Sequence, residues 1–219
     1  MSNAMRADIT LTHDIQPYMA EALALDAAAT RYEDAFLFDD PADAATFRRF
    51  LCEHNLAAFS PPHGLLALID GRPIGLAAGM TRREVLSRRL ALAMALHREP
   101  PLPRDAGLIE RLRQVEASHP VVHDGDFAWS RISVAPSFAG QRSARLLADA
   151  MAARARELGC TRIVGEIAAA NEASLRYIEK LGYREIGRGS AVDTRRGRRL
   201  DYIHMAGPIP SVAAAEATR

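Results

Sequence analysis

Cysteine is scarce: Cys52 and Cys160 are the only two in 219 residues. That is too few for a disulfide framework, and the pair lacks the spacing of metal ligands. Such sparing use fits a reducing, cytoplasmic setting without a bound metal. An excess of one charge sign is also missing. The 28 Lys and Arg face 27 Asp and Glu, a formal net charge of +1. No global field therefore draws the chain to nucleic acid or an anionic membrane. Long hydrophobic runs are absent as well. The most apolar central stretch, Leu86 to Leu96, contains Arg88 and Arg89 and falls far short of the roughly 20 residues a membrane span needs. No G-x-G-x-x-G follows a strand-like segment, which argues against a dinucleotide-binding oxidoreductase.

What is present is ordinary globular material, 48% apolar and 25% charged, in a length that suits one domain with a sizeable core. That domain is assigned to residues 5–207. Residues 1–4, ahead of Met5, read as an expression-tag remnant with no signal peptide after them. Residues 208–219, with two prolines and an alanine-rich run, read as a loose tail.

Hydrophobic periodicity predicts an opening strand over Asp8–Thr12. A helix over Ile15–Leu37 follows, with Asp14 as its cap and Pro17 in its first turn. Asp40-Pro41 starts a second helix that fades near Asn55. Strands over Leu65–Ile69 and Pro73–Met80 meet at Asp70-Gly71, a dipeptide suited to a hairpin. Residues Arg82 to Gly125 read as a helical hairpin inserted between two strands, with helices over Arg83–His97 and Ala106–Ala117 about a proline-rich break. Phe127–Val134 is a strand, Ser143–Leu158 a long helix stopped by Gly159, and Thr161–Ile167 another strand. A helix over Glu172–Leu181 stopped by Gly182 precedes two final strands, about Tyr183–Val192 and Arg199–Ala206. The order is that of an α/β layout with a mixed, mostly antiparallel sheet flanked by helices.

Two segments carry the chemistry. In the first, Val134-Ala135-Pro136 leads through Ala139, Gly140, Gln141 and Arg142 into the helix opened by Ser143, Ala144 and Arg145. Unpaired N–H groups at a helix start bind phosphate, the small residues let a pyrophosphate approach, and Arg142 and Arg145 add charge. The second runs from Asn171 through Ser174 and Tyr177 to Gly182-Tyr183.

Together the two segments resemble the acetyl-CoA signature of the GNAT superfamily of N-acetyltransferases. Val134, Pro136, Gly140 and Ala144 fit its first pattern, and Asn171, Ser174, Gly182 and Tyr183 its second. The second motif is nearest the subgroup related to ribosomal-protein alanine acetyltransferases. Two departures stand out. Ala139 and Arg142 replace the usual Arg/Gln and middle glycine of the pyrophosphate loop, and Arg142 fits only if its φ is negative. The position that commonly holds a general-acid tyrosine is Ile178, with Tyr177 one residue earlier and about 100° around the helix.

The resemblance implies direct transfer of an acetyl group from acetyl-CoA to a primary amine on a metabolite, an antibiotic-like compound or a protein amino terminus. The pantetheine would lie beside Ile132, Ser133 and Val134, with Asn171 anchoring it, Tyr177 beside the cofactor and Ser174 near the sulfur as a proton donor. A base must also take the amine proton. Asp126 and Ser130 are read on the same strand face as Ile132 and Val134, although for Asp126 the end of the Asp124-Gly125-Asp126 turn is the favoured reading. Glu84, His119 and His123 are further candidates, each also explicable as a surface group. Glu166 reads as solvent-facing and Trp129 as core. The inserted hairpin is where acceptor specificity is expected. Its apolar residues Val85, Leu86, Leu90, Leu92, Met94 and Leu96 would alternatively suit a homodimer contact. A catalytically silent acyl-CoA-binding or protein-interaction module on the same fold is the competing reading.

Overall fold

The computed structural model describes residues 8–138 and 142–209. The expected tag remnant, nearly all of the tail, and Ala139, Gly140 and Gln141 lie outside the described residues. The strands are β1 (Ile9–Thr12), β2 (Gly64–Ile69), β3 (Arg72–Thr81), β4 (Asp126–Val134), β5 (Arg162–Ala168), β6 (Arg184–Asp193) and β7 (Arg198–Pro208). They form one sheet in the order β1-β2-β3-β4-β5-β7-β6, in which only β4 and β5 are parallel. The helices are α1 (Met19–Leu37), α2 (Pro41–Glu53), α3 (Arg82–Arg98), α4 (Leu108–Ala117), α5 (Ser143–Glu157) and α6 (Glu172–Lys180).

Local chemistry explains most boundaries. Asp40 caps α2, accepting from the Ala42 N–H at 2.8 Å, with Pro41 at the first helical position. Thr81 and Glu84 form a capping box at the start of α3. Asp70 and Gly71 take φ of 49° and 72°, the left-handed pair that a two-residue hairpin turn needs. One start differs from expectation. Asp14 caps nothing: its N–H donates to Thr12 Oγ1 at 3.0 Å, and a 3-10 turn over Gln16–Tyr18 precedes α1. Pro17 sits in that turn, where its fixed φ and missing N–H are tolerated.

The sheet separates two apolar layers. On one side Leu147, Met151 and Ala155 of α5 pack against Phe127, Trp129 and Ile163. On the other, Leu25 of α1 packs against Leu66 and Leu76. A third cluster joins Phe36, Phe47, Leu96, Leu108 and Val115 to Leu200 and Tyr202, so the insertion is tied into the protein through its own core.

Two irregularities shape the centre of the sheet. Across β3 and β4, Ala78 faces Arg131 and Gly79 faces Trp129, which leaves Ser130 as an extra residue in a β-bulge. Phe127 and Trp129 before the bulge, and Ile132 and Val134 after it, therefore all join the α5 layer, while Arg131 reaches α1 at Asp26. The second irregularity lies between β4 and β5. Their ladder covers only Asp126–Ala128 against Arg162–Val164, whereas β5 stays paired with β7 as far as Ala168. Beyond Ala128 the two strands part.

The insertion comprises α3 and α4, joined by an ion pair between Arg89 and Glu116. Arg111 of α4 donates from Nε to the Leu37 carbonyl at 2.8 Å. The apolar residues of α3 are divided between two sides. Leu96 is buried and Val85 and Leu92 line a cavity, while Leu86, Leu90 and Met94, at i, i+4 and i+8, are exposed on the outer side.

Candidate active site

The parting of β4 from β5 opens a cavity of about 120 Å³, lined by Trp129 to Ile132, Ile163 to Ala168, and the start of α6. The β4 main chain here has no ladder to β5, so polar groups on that edge are available to a ligand. Asn171, Ser174 and Tyr177 line this cavity together. Asn171 caps α6, its Oδ1 accepting from the Ser174 N–H at 3.4 Å. Tyr177 Oη and Trp129 Nε1 are buried with no hydrogen-bond partner among the described residues. Burial pushes the Tyr177 hydroxyl up to about 12, so it holds its proton at neutral pH. Two orphaned polar atoms beside an open strand edge are features that a ligand rich in amide groups would satisfy.

At the start of α5, Arg142 has φ −65°, the negative value its side chain requires. Ser143 is fully buried. Arg145 is held by Asp149 at 2.9 Å. Ser133 and Val134 pair with Leu76 and Gly75 of β3 rather than lining the cavity.

Asp126 is not brought to the site. Its carboxylate accepts from Arg162 Nε at 2.7 Å and Nη2 at 2.8 Å, and from the His123 N–H at 2.8 Å. Burial would raise its pKa, but these bonds outweigh burial and hold the carboxyl below the usual carboxylate range. It lines neither cavity described here and clasps the start of β4 to the start of β5. The expected face-sharing with Ile132 and Val134 fails because the bulge at Ser130 shifts the alternation by one residue. Ser130 does line the site, and its hydroxyl donates to the Ala78 carbonyl at 3.2 Å. Glu84 is committed to its capping box.

A second cavity, of about 1030 Å³, lies under α3 and α4. The two cavities share Glu33, Trp129, Ser130, Arg131 and Glu166, so they meet at the gap in the sheet. Three titratable side chains gather there. His119 Nε2 is 3.8 Å from Glu33 Oε1 and 4.0 Å from Glu166 Oε1. It is buried without a hydrogen bond among the described residues. Glu166, expected to face solvent, has a side chain only 15% exposed. Tyr202 stacks edge-on with His119 at 5.2 Å and donates to Glu33 at 2.9 Å. Burial favours the neutral form of Glu33, but Arg131 at 3.7 Å, then His119 and the Tyr202 bond, hold it below the usual range. Burial and the two carboxylates push Tyr202 far above the ordinary tyrosine range, so it remains a donor. The ligating atoms of Glu33, His119 and Glu166 lie within 4.8 Å of one another, a spacing that would also admit a cation. The Arg131 guanidinium already supplies positive charge beside them.

His119 is positioned by the segment before it. Its neighbour Ser118 offers its carbonyl to His204 Nε2 at 2.7 Å. A Cβ on Gly189 would stand 1.9 Å from that carbonyl oxygen, so only glycine permits the approach. Glu33 and Tyr202 have no motif to reveal them. Glu166 has a signal: a carboxylate within the otherwise apolar strand Ile163-Val164-Gly165-Glu166-Ile167 needs a reason to be there.

In fold the chain is similar to known N-acetyltransferases. The ribosomal-protein-S18-alanine N-acetyltransferase of Escherichia coli matches with TM-score 0.53 and 16% identity, over 94% of this chain and 96% of that one. The ribosomal-protein-alanine N-acetyltransferase of Brucella melitensis matches with TM-score 0.52 and 19% identity, over 92% and 99%. The yncA protein of Salmonella typhimurium, solved with its cofactor acetyl-CoA, matches with TM-score 0.52 and 16% identity, over 95% and 98%. No curated protein sequence matches. Residues 25–183 match the acetyltransferase (GNAT) family, to which the chain belongs. Among the described residues no helix is long and apolar enough to cross a membrane.

Proposed function

We propose that this protein transfers an acetyl group from acetyl-CoA to a primary amine by direct attack, with donor and acceptor entering through different cavities. The observation that carries this reading is the meeting of the two cavities at the gap between β4 and β5. The pantetheine arm takes the smaller one, hydrogen-bonded to the free edge of β4 and to Asn171, with the thioester near Ser174. The diphosphate lies at the N-terminus of α5 beside Arg142, where the helix start favours an anion.

The amine arrives from the larger cavity as an ammonium and gives a proton to Glu166, with His119 beside it to pass the proton on. Its nitrogen then bonds to the thioester carbonyl carbon as the carbon–sulfur bond breaks. The departing thiolate takes a proton from Ser174, whose hydroxyl is restored by the second proton lost from the attacking nitrogen; the Tyr177 hydroxyl on the same wall is a second donor. The amide and the free thiol leave, with one proton released overall.

Thermal unfolding in the presence of acetyl-CoA tests the donor half. A ligand bound only to the native state adds about 2.7 kcal/mol at a hundredfold excess over Kd. A saturable rise in Tm is expected, with Asn171→Ala needing about tenfold more acetyl-CoA for the same increment. No rise at millimolar acetyl-CoA would sink the reading.

A further inference from the structure

Charge pairing around the larger cavity leaves two side chains over. Arg89 is met by Glu116, Arg113 by Glu110 at 3.8 Å, and Arg131 by Asp26 at 3.0 Å and Glu33 at 3.7 Å. Arg88 differs. Its Nε donates to the Leu56 carbonyl at 2.7 Å, and no carboxylate among the described residues lies within ion-pair reach of its guanidinium. Burial and the neighbouring Arg131 lower its pKa from the ordinary value, against the weaker pull of the more distant Glu116, Asp26 and Glu33. The other side chain is Glu166, which lies 4.0 Å from His119 Nε2 and makes no ion pair with an arginine among the described residues. The same cavity has apolar walls, with Leu37, Phe47, Met80, Val85 and Leu92 among their residues. A cation held in such surroundings costs free energy until an anion meets it.

We propose that the larger cavity binds a small primary amine carrying a carboxylate on an apolar body, with Arg88 holding the carboxylate and Glu166 receiving the ammonium. This rests on the reading of that cavity as the acceptor side. One unmatched guanidinium balances the single charge of a carboxylate and leaves a doubly charged phosphate half-neutralised. Arginine meets a carboxylate through two parallel N–H bonds, which fixes orientation as well as affinity. The volume of about 1030 Å³ is at the upper end of small-molecule sites, roughly 300–1,000 Å³. It leaves room for a bulky side chain beyond the two charged ends.

Binding without acetyl-CoA tests the anion site independently of acyl transfer. Thermal unfolding is followed with 3-phenylpropanoate and with its uncharged amide. The acid is expected to bind roughly 10- to 100-fold more tightly. Arg88→Gln removes that advantage while the shift caused by acetyl-CoA persists. In turnover with acetyl-CoA, phenylalanine should exceed phenethylamine in kcat/KM by a similar factor, and R88Q should bring the ratio towards one. Equal binding of acid and amide, no binding of either, or an acid advantage that survives R88Q overturns the proposal. If R88Q does not fold, the acid–amide comparison on the unaltered protein decides alone. Acid-selective binding with no turnover of either amine would leave the anion site standing and remove the acyl-transfer reading.

Discussion

The two cavities that meet at Trp129 are built in opposite ways. The smaller is largely a main-chain construction: two strands part, one keeps its ladder to β7, and the free edge of the other is left to a ligand. The start of α6, a few residues after β5, adds Asn171, Ser174 and Tyr177, and α1 and β7 close the far wall with Tyr32 and Tyr202. The larger cavity is a side-chain construction drawing on α1, α2, the insertion, β4 and β5, segments separated by more than a hundred residues. Main-chain geometry tolerates many side chains as long as the strands part, whereas a cluster such as Glu33, His119 and Glu166 fails if one member moves by an ångström. The donor side should therefore yield to single substitutions gradually, and the acceptor side abruptly.

The sharpest break in that comparison comes from Glu166→Gln. Turnover is expected to fall roughly 100- to 1,000-fold with acetyl-CoA affinity unchanged, measured by thiol release and by thermal shift. Turnover within a factor of a few of the original would remove Glu166 as the base. Gly189→Ala acts from outside the site. Its Cβ meets the Ser118 carbonyl and displaces His119, so turnover is expected to drop about a hundredfold while acetyl-CoA still binds. Unaltered turnover would show that His119 needs no fixed position. Asp126→Asn should leave turnover alone and lower stability by about 1–3 kcal/mol. The native carboxyl has a pKa below its unfolded value, so its contribution is present at neutral pH and lost as pH falls through the native value. Unfolding curves of the two proteins should converge below about pH 4. A fall in turnover out of proportion to stability would return Asp126 to the site.

The same contrast governs what could be read from the sequence. Asn171, Ser174 and the turn into α5 lie in short contiguous segments whose resemblance to the GNAT signature implies one cofactor site, and Asn171 and Ser174 do line the strand gap. The insertion was legible as two helices because the capping box and periodicity are local. Which of its apolar residues face inwards was not: that depends on where α4 and β6 sit, so Leu92 lines a cavity while Leu90 is exposed. Glu33 and Tyr202 are brought together across 169 residues by packing alone. Asp126 was misplaced for a different reason. Alternation along a strand was applied through a bulge that only the partner strand reveals.

That extra residue in β4 also sets the terms on which the strand can be edited. Exchanging a side chain on either flank of Ser130 alters one face of the sheet and leaves the other alone. Deleting Ser130 would leave Trp129 and Arg131 on the opposite faces they already occupy, whereas deleting any one residue after it would turn the remainder of the strand over. Side chains along β4 can therefore drift by substitution, whereas the stretch after Ser130 is a reading frame that the protein must keep.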